Sequence, residues 1–436
     1  MTALVIRGGT VLRRMEQAPR REDLLVRDGR IVETAAPPDA EIIDASGCYV
    51  MPGLVQTHLH LVQTIFRGVA EDLSLLDWLR SRVWPLEAAH DEASIRASVR
   101  LGLVELLLTG TTTILDMGTT HHEDIVANEI AASGIRARFG KAMMDAGEGV
   151  PPRLLERTRD SLAESERLAN EWRGKADGRL GYAFAPRFAL SCTRDLLEAV
   201  GEIASRTGAL VHTHSNENAD ERGLIERATG RAPAAYLAEV GIASDRAVLA
   251  HGVHLDEAEV RLLAERRASI AHCPSSNLKL ASGVADVARL REAGITVGIG
   301  ADGAACNNRL DAFEEARLAA LLPRIRRGPR AMPAFTTLAL ATSEGAKALQ
   351  LGDVGTLEVG RRADLVVLDA ERLGGPGGDP ATRILFGGGS RAVRDVVVDG
   401  TVLVRDRRLV SFDEAEVRAR AAETLPALLS RAGVAA

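Results

Sequence analysis

The chain has 436 residues, more than one small core can organise, and this length predicts one large barrel with a smaller domain. Hydrophobic residues make up 46% and charged residues 26%, a composition typical of soluble globular proteins. The net charge of -6 at pH 7 argues against a nucleic-acid partner, and the one basic run, 323–330, is interpreted as a solvated helix end.

The cysteines and the hydropathy pattern bear on the cellular compartment. Four cysteines are scattered without close pairs, which argues against a disulfide scaffold or a Cys-x-x-Cys zinc site. No N-terminal segment combines a basic start with an apolar core, and no apolar run is long enough to span a bilayer. We therefore expect a cytoplasmic protein with free thiols and no membrane partner.

Short strands and tight turns are predicted at both ends of the chain. A hairpin turn is predicted at Gly8-Gly9, and a stronger one at Asp28-Gly29, because each pair separates two apolar runs. The same texture returns around Asp399-Gly400 near the other end. We therefore expect residues 1–52 and 353–436 to form one composite β-sandwich domain, the second segment adding a terminal helix.

The middle of the chain, residues 53–352, alternates short apolar runs with longer helical patterns. A repeat of this kind predicts an α/β fold in which each strand is followed by a helix. Eight such units favour a (β/α)8 barrel, and the length fits. The predicted strands are 53–57, 112–115, 136–142, 180–185, 209–213, 247–250, 268–271 and 296–299.

Imidazoles and carboxylates recur where these predicted strands end. In a (β/α)8 barrel the residues just past the strand ends lie on the catalytic face. Chance would scatter such residues over both ends of the strands, so their coincidence predicts a metal site. They are His58 and His60 after the first strand, His212, His214 and Glu217 after the fifth, His251 after the sixth, His272 after the seventh and Asp302 after the eighth.

Several of these runs closely resemble motifs of the amidohydrolase superfamily. They are MPGLVQTHLH at 51–60, His214-x-x-Glu217, AHGVHL at 250–255, HCPSSNLKL at 272–280 and GADG at 300–303. Residues 355–368 resemble the C-terminal β-domain of the same superfamily. The likeness covers nearly the whole chain and implies a metal-dependent hydrolase in the branch that uses one ion.

The resemblance also implies a role for each site residue. Glu217 would be the proton shuttle, His251 would hydrogen-bond the attacking water or the developing charge, and Asp302 would also orient the nucleophile. One divalent ion is expected, because the fourth strand carries no lysine that could bridge two. Zinc is favoured, with iron and manganese as alternatives. The implied metal ligands are His58, His60, His214 and Asp302.

Within this branch, resemblance to the guanine deaminase group favours an aminopurine base as the substrate. Gln63 follows His60 by three residues, and Pro186-Arg187-Phe188 closes the fourth strand. An amide and a guanidinium could read a purine ring while an aromatic ring stacks on its face. The alternative for Arg187 is a loop ion pair, and for Gln63 an ordinary polar loop residue.

A second group competes with the first. The run 67–72, Trp78 and Glu87, together with DGAACNN at 302–308, resembles deaminases of S-adenosylhomocysteine and methylthioadenosine, with the triazine hydrolases nearby. Trp78 could equally be a core residue. A guanine-type base is favoured over these alternatives as the substrate. A metal-binding barrel without enzymatic activity is the least favoured hypothesis. The expected partner is a small heterocyclic substrate, and the resemblance also implies a homo-oligomer.

Overall fold

The computed structural model describes residues 3–34 and 37–435. The chain opens with five short strands that precede the barrel. They are β1 (Ala3–Val11), β2 (Arg20–Arg27), β3 (Arg30–Val32), β4 (Glu41–Asp44) and β5 (Cys48–Pro52).

The next strands build a closed parallel barrel. They are β6 (Leu54–His60), β7 (Thr111–Met117), β8 (Arg136–Gly140), β9 (Ala142–Met143), β10 (Leu180–Pro186), β11 (Leu210–Ser215), β12 (Ala247–His251), β13 (Ser269–His272), β14 (Val297–Ile299) and β15 (Asp302–Gly303). The order around the barrel is β6-β7-β8-β10-β11-β12-β13-β14, and Ile299 opposite Gln56 closes the circle. The predicted (β/α)8 fold is therefore confirmed, with each predicted strand at its expected place.

Helices surround the barrel and follow its strands. They are α1 (Leu75–Trp78), α2 (Trp84–Ala88), α3 (Glu92–Leu108), α4 (Glu123–Ser133), α5 (Thr158–Trp172), α6 (Arg194–Thr207), α7 (Ala219–Thr229), α8 (Pro233–Glu239), α9 (Glu257–Arg266), α10 (Pro274–Lys279), α11 (Val287–Glu292), α12 (Ala304–Asn307), α13 (Ala312–Arg327), α14 (Ala334–Leu340), α15 (Ser343–Ala348), α16 (Pro380–Thr382) and α17 (Glu414–Ala432). A π-helical turn, Leu79–Val83, joins α1 to α2. Within the described ranges, no helix is long and apolar enough to cross a membrane.

Strands from both ends of the chain share a second sheet. The C-terminal strands are β16 (Leu365–Asp369), β17 (Val393–Val398), β18 (Thr401–Arg405) and β19 (Arg408–Leu409). The sheet runs β19-β18-β17-β16-β5-β1-β2-β3, with β4 beside β1. It curls around an apolar cluster, and the amide of Ala363 donates to the carbonyl of Gly29 at 2.8 Å. One composite sheet from both termini is what the turn pattern predicted.

The turns at Asp28-Gly29 and Asp399-Gly400 form as predicted, between β2 and β3 and between β17 and β18. The hairpin predicted at Gly8-Gly9 is wrong. β1 continues through both glycines, and its pairing with β2 shifts register between Ile6 and Gly9. Gly8 has φ +70°, so the pair makes a β-bulge that bends one strand instead of reversing it.

The barrel is filled at one end and lined with polar groups at the other. Its interior holds an apolar cluster that includes Val55, Leu115 and Val248, and residues in and just after α15 close the N-terminal end of the strands. Any small molecule must therefore enter at the C-terminal rim, where the predicted site residues lie.

Candidate active site and metal centre

The eighth strand brings a carboxylate to the histidines of the first. After β14 the chain bends into β15, where Asp302 pairs with Leu59 and Gly303 with His60. This register sets the Asp302 carboxylate beside both imidazoles of β6. Four donor atoms, one from each residue, lie within 4.8 Å of one another. They belong to His58, His60, His214 and Asp302, the four implied ligands.

Backbone carbonyls determine where the protons of two of these imidazoles lie. Nδ1 of His60 is 2.9 Å from the carbonyl oxygen of Met117, and Nδ1 of His214 is 2.6 Å from that of Arg187. A carbonyl only accepts, so both Nδ1 atoms carry the hydrogen. Burial lowers the pKa of both rings, which are therefore neutral and leave Nε2 bare. The two Nε2 atoms nevertheless lie 3.1 Å apart.

The third imidazole turns its Nε2 toward the carboxylate. Nε2 of His58 lies 3.1 Å from Oδ1 of Asp302, and no hydrogen-bond partner for it occurs in the described part of the chain. Burial lowers the pKa of His58 to about 4, so the ring is neutral near pH 7. Its Nδ1 is 2.7 Å from Nε2 of His212.

Asp302 is held so that one carboxylate oxygen faces the imidazoles. Its Oδ2 accepts from the Ser276 hydroxyl at 2.6 Å and from the Cys306 thiol at 3.2 Å. Its Oδ1 remains directed toward His58 and, at 3.5 Å, toward Nε2 of His60. Asp302 adopts φ +62°, an uncommon backbone conformation for a residue with a side chain.

The donor set fits a divalent cation. Three imidazole lone pairs and a carboxylate oxygen crowd one point, an arrangement that is repulsive unless positive charge lies between them. Three nitrogen ligands with one oxygen match the ligand types that zinc takes in proteins, and the hydrogen bonds at the Nδ1 atoms are the usual support. The residues present therefore fit the single-ion site implied by the sequence.

Glu217 is brought to the site by the start of α7. Asn218 caps that helix, and the Glu221 carboxylate accepts from the backbone amides of Asn218 and, at 2.8 Å, of Glu217. Glu217 is buried beside Asp302, and both effects raise the pKa of its carboxyl group well above the usual range. A carboxyl group that titrates nearer to neutrality is suited to taking and returning a proton.

His251 faces Glu217 from the end of β12. Nε2 of His251 is 3.4 Å from Oε2 of Glu217, and its Nδ1 contacts Oδ1 of Asn277 at 2.9 Å. A carboxylate oxygen of Glu217, one of Asp302 and a ring nitrogen of His251 all lie within 4.8 Å of one another. His251 has φ +78°, a second uncommon conformation at this rim. Such strain concentrates at functional sites.

The predicted substrate contacts divide into two sets. Arg187 makes a buried bidentate ion pair with Glu87, and Nε2 of Gln63 donates to Glu87 at 2.9 Å. These three side chains form a network, so the ion-pair alternative for Arg187 is what the structure contains. Trp78 and Phe188 stand outside this network, and they line the same cavity as Gln63 and Arg187, beside His60, His214 and Asp302.

That cavity is narrow. Its water-accessible volume is about 20 Å³, and its cover includes Leu75 and Leu79 as well as Trp78. One water needs about 10–15 Å³, so a purine cannot fit without movement of this cover. Binding of a purine would therefore require side chains of this lining to move.

Sequence reasoning gave no separate role to several residues that support the site. His212 was placed at the end of the fifth strand without a role, although its two-residue spacing from His214 was a usable signal, and Ser276 and Asn277 lie inside a motif that was recognised. Cys306 likewise lies inside the quoted run 302–308, whereas Leu75 and Leu79 carried no such signal, because only folding brings them to the rim.

A family model described as the amidohydrolase family matches residues 49–403 of the chain. The chain belongs to the amidohydrolase family. A 5-methylthioadenosine/S-adenosylhomocysteine deaminase of Halobacterium salinarum is 40% identical over 99% of this chain and 99% of its own length. A 5'-deoxyadenosine deaminase of Methanothermobacter thermautotrophicus is 38% identical over 91% of this chain and 92% of its own length.

A solved structure agrees with these relatives. The crystal structure of an adenosine deaminase from Xanthomonas campestris with bound zinc superposes with a TM-score of 0.91. It is 32% identical and covers 98% of this amidohydrolase and 99% of that chain. Together with the family, these relatives make the protein a hydrolase that acts on carbon–nitrogen bonds.

Proposed function

We propose that this amidohydrolase removes the exocyclic amine of an adenosine-type nucleoside by hydrolysis, using one zinc ion. The observation that carries the proposal is the convergence of His58, His60, His214 and Asp302 beside Glu217 and His251. A structural ion would need neither of the last two groups. The whole-chain relatives named for adenosine-type substrates support the substrate class.

Different residues of this chain have different roles in the proposed reaction. A divalent ion bound here would acidify water and make a nucleophile available near neutral pH. Glu217 takes one proton from the attacking water and delivers it to the ring nitrogen. It then takes the remaining proton of the added hydroxyl and delivers it to the amine, so that ammonia leaves and the ring carbonyl forms. His251 orients the oxygen nucleophile, and Trp78 and Phe188 pack against the ring. The products are the ring carbonyl compound and ammonia.

The sequence favoured a guanine-type base, and that preference finds no support. Recognition of guanine would draw on the guanidinium of Arg187, which the structure pairs with the Glu87 carboxylate. The amide nitrogen of Gln63 is bound by the same carboxylate. The whole-chain relatives are named for adenosine-type substrates, so the adenosine-type alternative is the better proposal.

Ammonia release tests this function. The purified protein, with its metal content measured, is assayed on adenosine, 5'-deoxyadenosine, methylthioadenosine, S-adenosylhomocysteine, guanine and 8-oxoguanine, with chloride release from a chlorotriazine in parallel. We expect the nucleosides to have the highest kcat/KM. Faster turnover of guanine or chlorotriazine would overturn the substrate class, and a zinc-loaded protein inactive on all of them would favour a non-enzymatic barrel.

The variant Glu217→Gln tests the proton shuttle. Loss of a general acid–base typically lowers kcat by about 10²–10⁴-fold, and we expect that loss with the zinc content unchanged. Near-normal turnover by this variant would show that Glu217 does not carry the proton.

A further inference from the structure

A fourth buried imidazole stands behind the candidate ligands. His212 lies on β11 two residues before His214, so both side chains point to the same side of the strand. Its Nε2 is 2.7 Å from Nδ1 of His58, and its Nδ1 is 2.9 Å from the carbonyl oxygen of Val248. The side chain is fully buried and lies outside the group of four donor atoms.

The Val248 carbonyl determines which nitrogen donates in each hydrogen bond of the series from His58 through His212 to Val248. The Val248 carbonyl can only accept, so Nδ1 of His212 carries the hydrogen and donates it. A neutral His212 then has a bare Nε2, which must accept from Nδ1–H of His58. With its hydrogen on Nδ1, His58 has Nε2 bare and facing Asp302.

His58 has a competing tautomer that would block this arrangement. Nε2 of His58 lies 3.1 Å from Oδ1 of Asp302, and a hydrogen placed on Nε2 would make a charge-assisted bond to that oxygen. Such a bond would occupy one ligand atom of each residue. The acceptor at His212 is the contact that favours the other tautomer.

The other two histidines have no such dependence on a side chain. His60 and His214 are oriented by the backbone carbonyls of Met117 and Arg187, which a side-chain substitution leaves in place. We propose that His212 is a positioning residue that holds His58 in its Nδ1–H tautomer and aims Nε2 at the metal. This inference rests on the metal site of the proposed function.

Two substitutions separate the two contacts of His212. In His212→Gln the amide end lies near the position of Nε2 and can accept from His58. In His212→Asn the shorter amide lies near the position of Nδ1, so it can donate to Val248 but cannot reach His58. Both variants bury one amide, which makes them matched controls for each other.

Zinc affinity, measured by competition with a chromophoric chelator, is the first readout. Loss of an outer hydrogen-bond partner typically weakens metal binding by about 10–100-fold, and we expect this for His212→Asn. His212→Gln should bind zinc nearly as the unsubstituted protein does. His90→Asn, which removes a buried imidazole away from the four ligands, should leave zinc affinity unchanged. Equal affinities for the Gln and Asn variants would overturn the proposal.

A measurement of the His58 tautomer in the unsubstituted protein tests the proposal without depending on whether the variants fold. In metal-free unsubstituted protein labelled with ¹⁵N-histidine, Nδ1 of His58 should appear protonated and Nε2 bare. A hydrogen found on Nε2 would overturn the inference. Failure of the metal site itself would look different, because the unsubstituted protein would then lack tight zinc binding.

Discussion

The chemistry of this rim depends on hydrogens whose positions are set by neighbours of each ring. The carbonyls of Met117 and Arg187 set two imidazoles, and His212 sets a third. All of these rings are buried, so each is neutral and offers a lone pair near pH 7. Burial thus suits these histidines to bind a metal ion, and it also makes the folded state sensitive to acid.

His90 shows that sensitivity away from the metal site. It is buried between α2 and α3, Nε2–H donates to the carbonyl of Val62 at 3.0 Å, and burial lowers its pKa from 6.5 to about 4. Between these values the unfolded chain binds a proton that the folded chain excludes, so falling pH destabilises the fold. Each such proton contributes about 1.4 kcal/mol per pH unit.

The free energy of unfolding should fall as the pH is lowered from 6.5 to 4. We expect this fall to be less steep in His90→Gln than in the unsubstituted protein, by up to about 1.4 kcal/mol per pH unit. Urea titrations at several pH values, on samples of equal metal content, measure the slope. The exposed His122→Gln is the matched control and should leave it unchanged. An unaltered slope in His90→Gln would contradict the assignment.

Among the secondary-structure elements, the segment after β6 covers the cavity. Glu71 ties this cover to two other parts of the rim: its carboxylate is 2.6 Å from Nζ of Lys279, at the end of α10, and accepts from Nδ2 of Asn308 at 3.0 Å. The cavity beneath is too small for a purine, so we expect this cover to move when substrate binds.

Glu71→Gln should weaken the closed state. The ion pair between Glu71 and Lys279 is partly exposed, so its loss should destabilise the closed state by at most about 1 kcal/mol. We therefore expect KM to rise by up to about fivefold. Steady-state ammonia release gives KM and kcat, and zinc affinity should stay constant. Glu148→Gln removes a mostly exposed partner of Arg80 and serves as the control, with no change expected. A fall in zinc affinity in Glu71→Gln would show a role in the metal site instead.

Across the whole molecule, a buried ion pair joins the barrel to the terminal sheet. Arg136 at the start of β8 binds Asp364 at 2.6 Å and Asp399 at 2.8 Å, and the Arg136 and Asp364 side chains are 2% and 1% exposed. Asp364 comes from the segment that leads into β16. We propose the domain division at residues 52 and 353, and this pair would cross it. Homo-oligomerisation stays a prediction.

Arg136→Met should be strongly destabilising, because it leaves the Asp364 carboxylate buried without its cation. Breaking a buried pair in this way typically costs about 3–5 kcal/mol of unfolding free energy. Urea denaturation measures the loss, and the double variant Arg136→Met/Asp364→Asn should recover part of it. The exposed pair of Arg157 and Asp160 gives the control Arg157→Met, with a loss of about 0.5 kcal/mol or less. A comparably small loss in Arg136→Met would contradict this role.

The local pattern of apolar and polar residues was enough to predict the barrel and most of the residues at its C-terminal rim. Apolar runs of strand length, each followed by a helical stretch, admit few folds, and a parallel barrel places every strand end on one face. His58, His60, His214, Glu217, His251 and Asp302 could therefore be grouped before any coordinates were known. The amidohydrolase motifs added the expectation of one metal ion.

Contacts between distant parts of the chain could not be read in this way. Glu87 and Arg187 are 100 positions apart, and only the folded chain shows that they pair, while only the β1–β2 register shows that Gly8-Gly9 is a bulge. The difference is physical. Strand and helix preferences arise from neighbouring residues, whereas hydrogen positions, ion pairs and the closed cover depend on which side chains the folded chain brings together.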